Sequence, residues 1–191
     1  MTTQVPYVVR RATALDIPLI AQVFLDSLDS TIPGKTFSDL PEYALPQVEP
    51  VLRARLLPED GSVTTFVALH PATDELLGYI DVKHRGGPLP QGYRSTGTVQ
   101  LPDGVPEIDH LFTKVPREGG SGKGVGSALI QRVLAEESWT SAGIRLSCFE
   151  KNERALGFYR KWRWEQVGKI GLGVGEDGET ALVLWLKGTQ A

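Results

Sequence analysis

Cysteine is nearly absent from this chain. Cys148 is the only one among 191 residues, so there is no intrachain disulfide and no cysteine metal cluster, and the composition suits a reducing, cytoplasmic setting. It lies in an apolar, strand-like run and reads as a small core residue rather than a nucleophile. Histidine is scarce too. His70, His84 and His110 do not fall at metal-ligand spacing, and no metal is expected. No apolar run reaches the roughly 18 residues of a membrane span. Met1–Pro6 is polar and lacks the apolar core of a secretory signal. Basic charge is not in excess: a net charge of -3 gives no field for nucleic acid. Internal repeats and low-complexity tracts are missing as well. What remains is a chain 41% hydrophobic, enough for one domain over residues 1–191 with its core at about 7–188.

Strands and helices alternate along it. Tyr7–Arg11 reads as a short strand. Thr13 and Asp16 resemble a capping box, ahead of a helix face made by Ile17, Ile20, Ala21, Phe24 and Leu28. Asp29–Pro50 is rich in proline and serine and reads as loop, or as short helix between loops. Val51–Leu57 reads as helix. Val63–His70 and Leu76–His84 read as strands joined by a turn. Arg85–Val105, glycine-rich and without period, reads as a surface loop beside a substrate mouth or a poorly ordered one. Glu107–Lys114 alternates as a strand, Val125–Glu137 has helical period, and Ile144–Phe149 is a strand. Asn152 is placed to cap a helix through Lys161. Trp164–Ile170 and Thr180–Lys187 close the series as strands. The order predicts a mixed α/β sheet of about seven strands flanked by about four helices, with a parallel βαβ unit from Glu107 to Cys148.

The richest stretch is Ser121-Gly122-Lys123-Gly124-Val125-Gly126-Ser127. Glycines there let backbone approach a ligand, and a helix start offers unpaired N–H groups and partial positive charge, which suits a phosphate. A nucleoside-triphosphate loop fails, because Gly124 follows Lys123 where Ser or Thr is needed and Arg117 stands where the upstream glycine should be. A dinucleotide fingerprint fails at Ser127, with no acid at a strand end about 20 residues on. A glycine-rich helix start without a ligand stays open, and Lys123 as a solvated loop lysine stays open beside a phosphate contact.

Gly124 and Gly126 before a helix, followed one strand later by Asn152-Glu153-Arg154-Ala155-Leu156-Gly157-Phe158-Tyr159-Arg160-Lys161, resemble the pyrophosphate loop and the Asn-x-x-Ala-x-x-Phe-Tyr-x-Lys segment of the GNAT N-acetyltransferases. Glu107–Thr113 resembles that family's central strand, and the likeness runs from Tyr7 to Lys187. The chain departs at Ser121, where the family has Gln or Arg, in a longer link through Arg117–Gly120, and at Arg163, where a helix-ending glycine is usual. The resemblance implies a GNAT fold and acetyl-CoA as cosubstrate. Backbone of Leu111, Phe112 and Thr113 would hold the pantetheine arm together with Asn152 and Phe158, and Ser121, Gly122, Lys123, Gly124, Val125, Gly126 and Ser127 would hold the pyrophosphate. It implies Tyr159 as the acid for the leaving thiolate, with a core aromatic as the plainer reading.

An amine of pKa about 10.4 must attack the thioester as the neutral base, so a proton acceptor is needed. Glu107 and Asp109 share one side of their strand. The resemblance favours Glu107, strand-end charges facing water remain the plainer reading, and His110 is the outside candidate. The pair Trp162 and Trp164 reads as packing. The expected partner is a small-molecule amine delivered by Ser27–Val48, Arg85–Gly104 and Gly171–Gly178, with no nucleic acid and no membrane, in a monomer or homodimer. A non-catalytic coenzyme-A module, or a transferase using another acyl-CoA or a protein or peptide amine, stays open.

Overall fold

The computed structural model describes residues 7–31, 36–89, 92–97, 101–114, 124–136, 139, 143–171 and 180–188. Among the described residues eight strands pair in the order β1-β2-β3-β5-β6-β8-β7-β4. They are β1 (Val8–Arg11), β2 (Val63–Leu69), β3 (Leu76–Lys83), β4 (Arg94–Ser95), β5 (Glu107–Thr113), β6 (Ile144–Phe149), β7 (Glu165–Gly171) and β8 (Thr180–Leu186). Four α-helices fall among the described residues: α1 (Ile17–Thr31), α2 (Leu45–Leu56), α3 (Val125–Leu134) and α4 (Glu153–Lys161). No helix among the described residues is long and apolar enough to cross a membrane. Contacts group the chain into two compact units, residues 1–82 with 110–135 and residues 83–109 with 136–191.

The first unit holds α1, α2, α3 and the strands β1 and β2. Asp16 accepts from the Thr13 backbone N–H at 2.7 Å and from Thr13 Oγ1 at 2.9 Å, which closes the chain's entry into α1. Arg10 grips the same carboxylate through two nitrogens at 2.8 Å. The Arg10 hydrogen bond is the chief reason that this carboxyl is held down at about 2. Ile17, Ile20, Ala21, Val23 and Leu25 of α1 pack on Val48, Leu52 and Leu56 of α2 and on Val67, Leu69, Leu76 and Tyr79. Each such apolar side chain contributes about 1.5–3 kcal/mol on burial. The buried face of α1 therefore differs from the expected one: Val23 and Leu25 are buried, whereas Phe24 and Leu28 are half-buried. Helix α2 begins six residues earlier than the sequence suggested. Pro46 sits in its first turn, where N–H groups are unpaired anyway, and Pro50 forfeits a single backbone bond inside a helix held by its buried face.

In the second unit, β6 pairs antiparallel with β8 from Ile144↔Leu186 to Phe149↔Ala181, and β8 pairs antiparallel with β7. The βαβ expectation holds, because β5 and β6 are parallel through Glu107↔Arg145 and Ile108↔Leu146. The segment 85–105, expected as a surface loop beside a substrate mouth or a poorly ordered one, carries a two-residue strand. It contributes β4, antiparallel to β7 through Arg94↔Lys169 and Ser95↔Gly168, which adds an eighth strand to the seven anticipated. Tyr93 and Leu101 dock on Val167, Ile170 and Val183, and Tyr93 donates its hydroxyl hydrogen to the Val167 carbonyl at 3.1 Å. A Cβ on Gly168 would lie 2.2 Å from the Tyr93 ring, so that docking requires glycine. Arg163 adopts φ 61°, a left-handed conformation costing about 1–2 kcal/mol without glycine.

Candidate functional site

In the first unit, the start of α3 is built from backbone. Gly124 takes φ 100° and ψ -3° as the N-cap, a left-handed conformation open to glycine at little cost. Its carbonyl receives the Ala128 N–H at 2.9 Å, so the helix proper starts at Val125. Val125, Leu129, Ile130 and Val133 are buried along one face, and Arg132 lies 4.5 Å over the Phe66 ring. The first turn carries no acid and no side-chain cap. Its N–H groups at Val125, Gly126 and Ser127 have no partner within the helix, and the helix dipole adds partial positive charge there. Gly126 and Ser127 are half-buried. Ser121, Gly122 and Lys123 lie outside the described residues, as do 172–179 of the Gly171–Gly178 segment.

The later half of β5 belongs to the same unit. Leu111, Phe112 and Thr113 are half-buried. A Cβ on Gly78 of β3 would come within 2.7 Å of the Phe112 carbonyl oxygen, so β5 approaches β3 at glycine distance. The Phe112 ring stacks edge-on against Phe24 and Tyr79, with centroids 5.7 and 5.8 Å apart. His110 sits in the same aromatic group, 5.6 Å from Phe112. Its Nδ1 lies 2.8 Å from Asp81 Oδ1. Asp81 is fully buried, and its Oδ2 has no hydrogen-bond partner among the described residues. Sequence reasoning passed over Asp81. The available signal was an acid set between Ile80 and Val82 in β3.

In the second unit, Glu107 Oε2 accepts from Arg145 at 2.9 Å, and the same guanidinium nitrogen reaches the Gly87 carbonyl at 2.5 Å. Arg145 is buried, and its Nε has no partner among the described residues. Asp109 pairs with Lys83 Nζ at 2.9 Å. Both expected carboxylates are thus tied to a cation. Residues 85–89 and 101–104, with Arg145, line a cavity of about 370 Å³. Gly86 N–H bonds the Val105 carbonyl at 3.0 Å and closes the neck of this segment.

Helix α4 follows β6 in this unit. Asn152 Oδ1 accepts from the Ala155 N–H at 3.0 Å, so the expected cap is present. Tyr159 is buried against Phe158 and Trp164, with centroids 5.3 and 5.7 Å away. Burial, and second any charge on Cys148, push the Tyr159 phenol well above its ordinary value, which keeps it in the protonated form that can donate. Burial also raises the Cys148 thiol to about 11, the mark of an inert core cysteine. Trp164 is buried and Trp162 half-buried beside Phe158, 6.5 Å away, an arrangement of packing rather than a stacking platform.

The sequence matches no family model and no curated protein. Solved structures do match in fold. An N-acetyltransferase from Staphylococcus aureus Mu50 aligns with TM-score 0.64 at 16% identity, over 95% of this chain and 98% of that one. The spermidine N-acetyltransferase SpeG from Vibrio cholerae aligns with TM-score 0.59 at 16% identity, over 94% and 92%. The PaiA N-acetyltransferase from Thermoplasma acidophilum, solved in complex with coenzyme A, aligns with TM-score 0.58 at 14% identity, over 96% and 99%. At such identities the likeness is one of fold. The chain has the mixed-sheet GNAT fold over nearly its whole length.

Proposed function

We propose that the protein is a GNAT-type N-acetyltransferase that moves the acetyl group of acetyl-CoA to the amine of a small molecule by direct attack on the thioester. The observation that carries this reading is the α3 start: a left-handed Gly124 and an acid-free first turn, in the fold of proteins named as N-acetyltransferases. Residues Ser121–Ser127 would hold the pyrophosphate through backbone N–H groups. Backbone of Leu111, Phe112 and Thr113, with Asn152 and Phe158, would hold the pantetheine arm. Because Asn152 Oδ1 already caps α4, its amide nitrogen is the part left for the ligand. Tyr159, kept protonated, would donate to the departing sulfur. The proton acceptor would come from β5, where Glu107 and Asp109 are the carboxylates. Spermidine, named for one structure of this fold, supports a small amine as acceptor, and the segment 85–104 would help to deliver it.

Calorimetric titration with acetyl-CoA, followed by a thiol-release assay across an amine panel, tests this reading. Saturable binding with turnover on at least one amine is expected. Absence of binding would sink it, and binding without turnover on any amine would favour a non-catalytic coenzyme-A module. Turnover only with longer acyl chains would move the reading to another acyl-CoA.

A further inference from the structure

Asp81 poses a problem that packing does not solve. A buried carboxylate with one partner and one bare oxygen is costly, and a purely structural role would be better served by an apolar residue in a strand whose neighbours Ile80 and Val82 are buried. Its partner makes sense of it. A carboxylate can only accept, so the hydrogen between Asp81 Oδ1 and His110 Nδ1 belongs to Nδ1. In the neutral ring this leaves Nε2 as a lone-pair acceptor. The His110 side chain retains 10% of its surface, against 1% for Asp81. The ring is held on its faces and edges by Phe24, Tyr79 and Phe112. It is a fixed imidazole with Nδ1 anchored, on the strand whose next residues are assigned to the pantetheine arm.

We infer that His110 is the general base of the transfer and that Asp81 is its positioning residue. This inference rests on the proposed acetyl transfer. Glu107 and Asp109 are less suited, because their carboxylates already hold Arg145 and Lys83. The thioester supplies an acyl carbon open to attack. As the amine nitrogen bonds to that carbon its N–H becomes acidic, and His110 Nε2 takes the proton. The carbon–sulfur bond breaks with its electron pair on sulfur, and sulfur leaves as the thiol after taking a proton from Tyr159, which recovers one from the imidazolium through solvent.

Three measurements on the full chain test this. His110→Gln should lower kcat about 10²–10⁴-fold while calorimetric acetyl-CoA affinity stays within twofold. Asp81→Asn should lower kcat at least tenfold, again with affinity kept. The third readout does not depend on activity: long-range ¹⁵N–¹H spectra of the wild type should show His110 protonated at Nδ1 and bare at Nε2, and Asp81→Asn should reverse this by donating its amide hydrogen to Nδ1. A wild-type spectrum with the proton on Nε2 overturns the assignment, as does a His110→Gln enzyme with unchanged kcat. If the wild type binds acetyl-CoA yet acetylates no amine, the transferase reading itself fails and the base falls with it. Turnover that survives in His110→Gln removes only the base.

Discussion

Helices α3 and α4 begin in opposite ways. At α4 the protein satisfies its own helix start: the Asn152 side chain takes the Ala155 N–H and Glu153 sits in the first turn. At α3 the cap is a left-handed glycine with no side chain to offer, and no acid follows. One start is closed by a side chain of its own cap, and the other, in the proposed function, receives the pyrophosphate. The helices also contribute different things to the proposed reaction, since α3 offers backbone N–H groups and α4 offers a phenol. A capping side chain and an anion compete at the same turn, because both draw on the same few N–H groups.

The largest expected effect lies on α4. Tyr159→Phe removes one hydroxyl and keeps the packed ring. It should lower kcat by about 10²–10⁴-fold with acetyl-CoA affinity nearly intact, as read by steady-state kinetics beside calorimetry. An unchanged kcat would make Tyr159 a core aromatic only. On α3, Gly124→Val forces a β-branched residue toward φ 100° and should weaken acetyl-CoA about tenfold or more, given a left-handed cost of about 1–2 kcal/mol. The check is thermal protection by coenzyme A. If the variant is protected as well as wild type, the open start is not the cofactor site.

Smaller effects separate the two starts by sign. Asn152→Ala should cost about 1 kcal/mol of stability, seen as a lower midpoint in urea at unchanged slope. If the midpoint holds, the α4 cap does not matter to the fold. Ser127→Asp places an acid in the first turn of α3 and should stabilise the free protein by about 0.3–1 kcal/mol, while weakening acetyl-CoA through like charge. A variant that gains stability and binds as before would place the pyrophosphate elsewhere.

Legibility in the sequence tracked how local each signal was. The Gly124 and Asn152 starts were readable because a cap and its helix lie within four residues. The early start of α2 was missed because Pro46 and Pro50 resemble breakers until the buried face of Val48, Leu52 and Leu56 shows what holds the turn together. Strand β4 was missed because two exposed residues carry no period. Tyr93 and Leu101 are anchors only when the cluster of Val167, Ile170 and Val183 is in place.

The sequence by itself determined the succession of elements apart from β4, the mixed α/β class, the parallel β5–β6 unit and the glycine start of α3. Each of these is written in residues a few positions apart, where period, chirality and caps act. Only the tertiary structure decided what the isolated polar residues do. Glu107 meets Arg145 across 38 positions and Asp81 meets His110 across 29. A lone charge in an apolar strand does not name its partner, because that partner is chosen by which strands lie side by side.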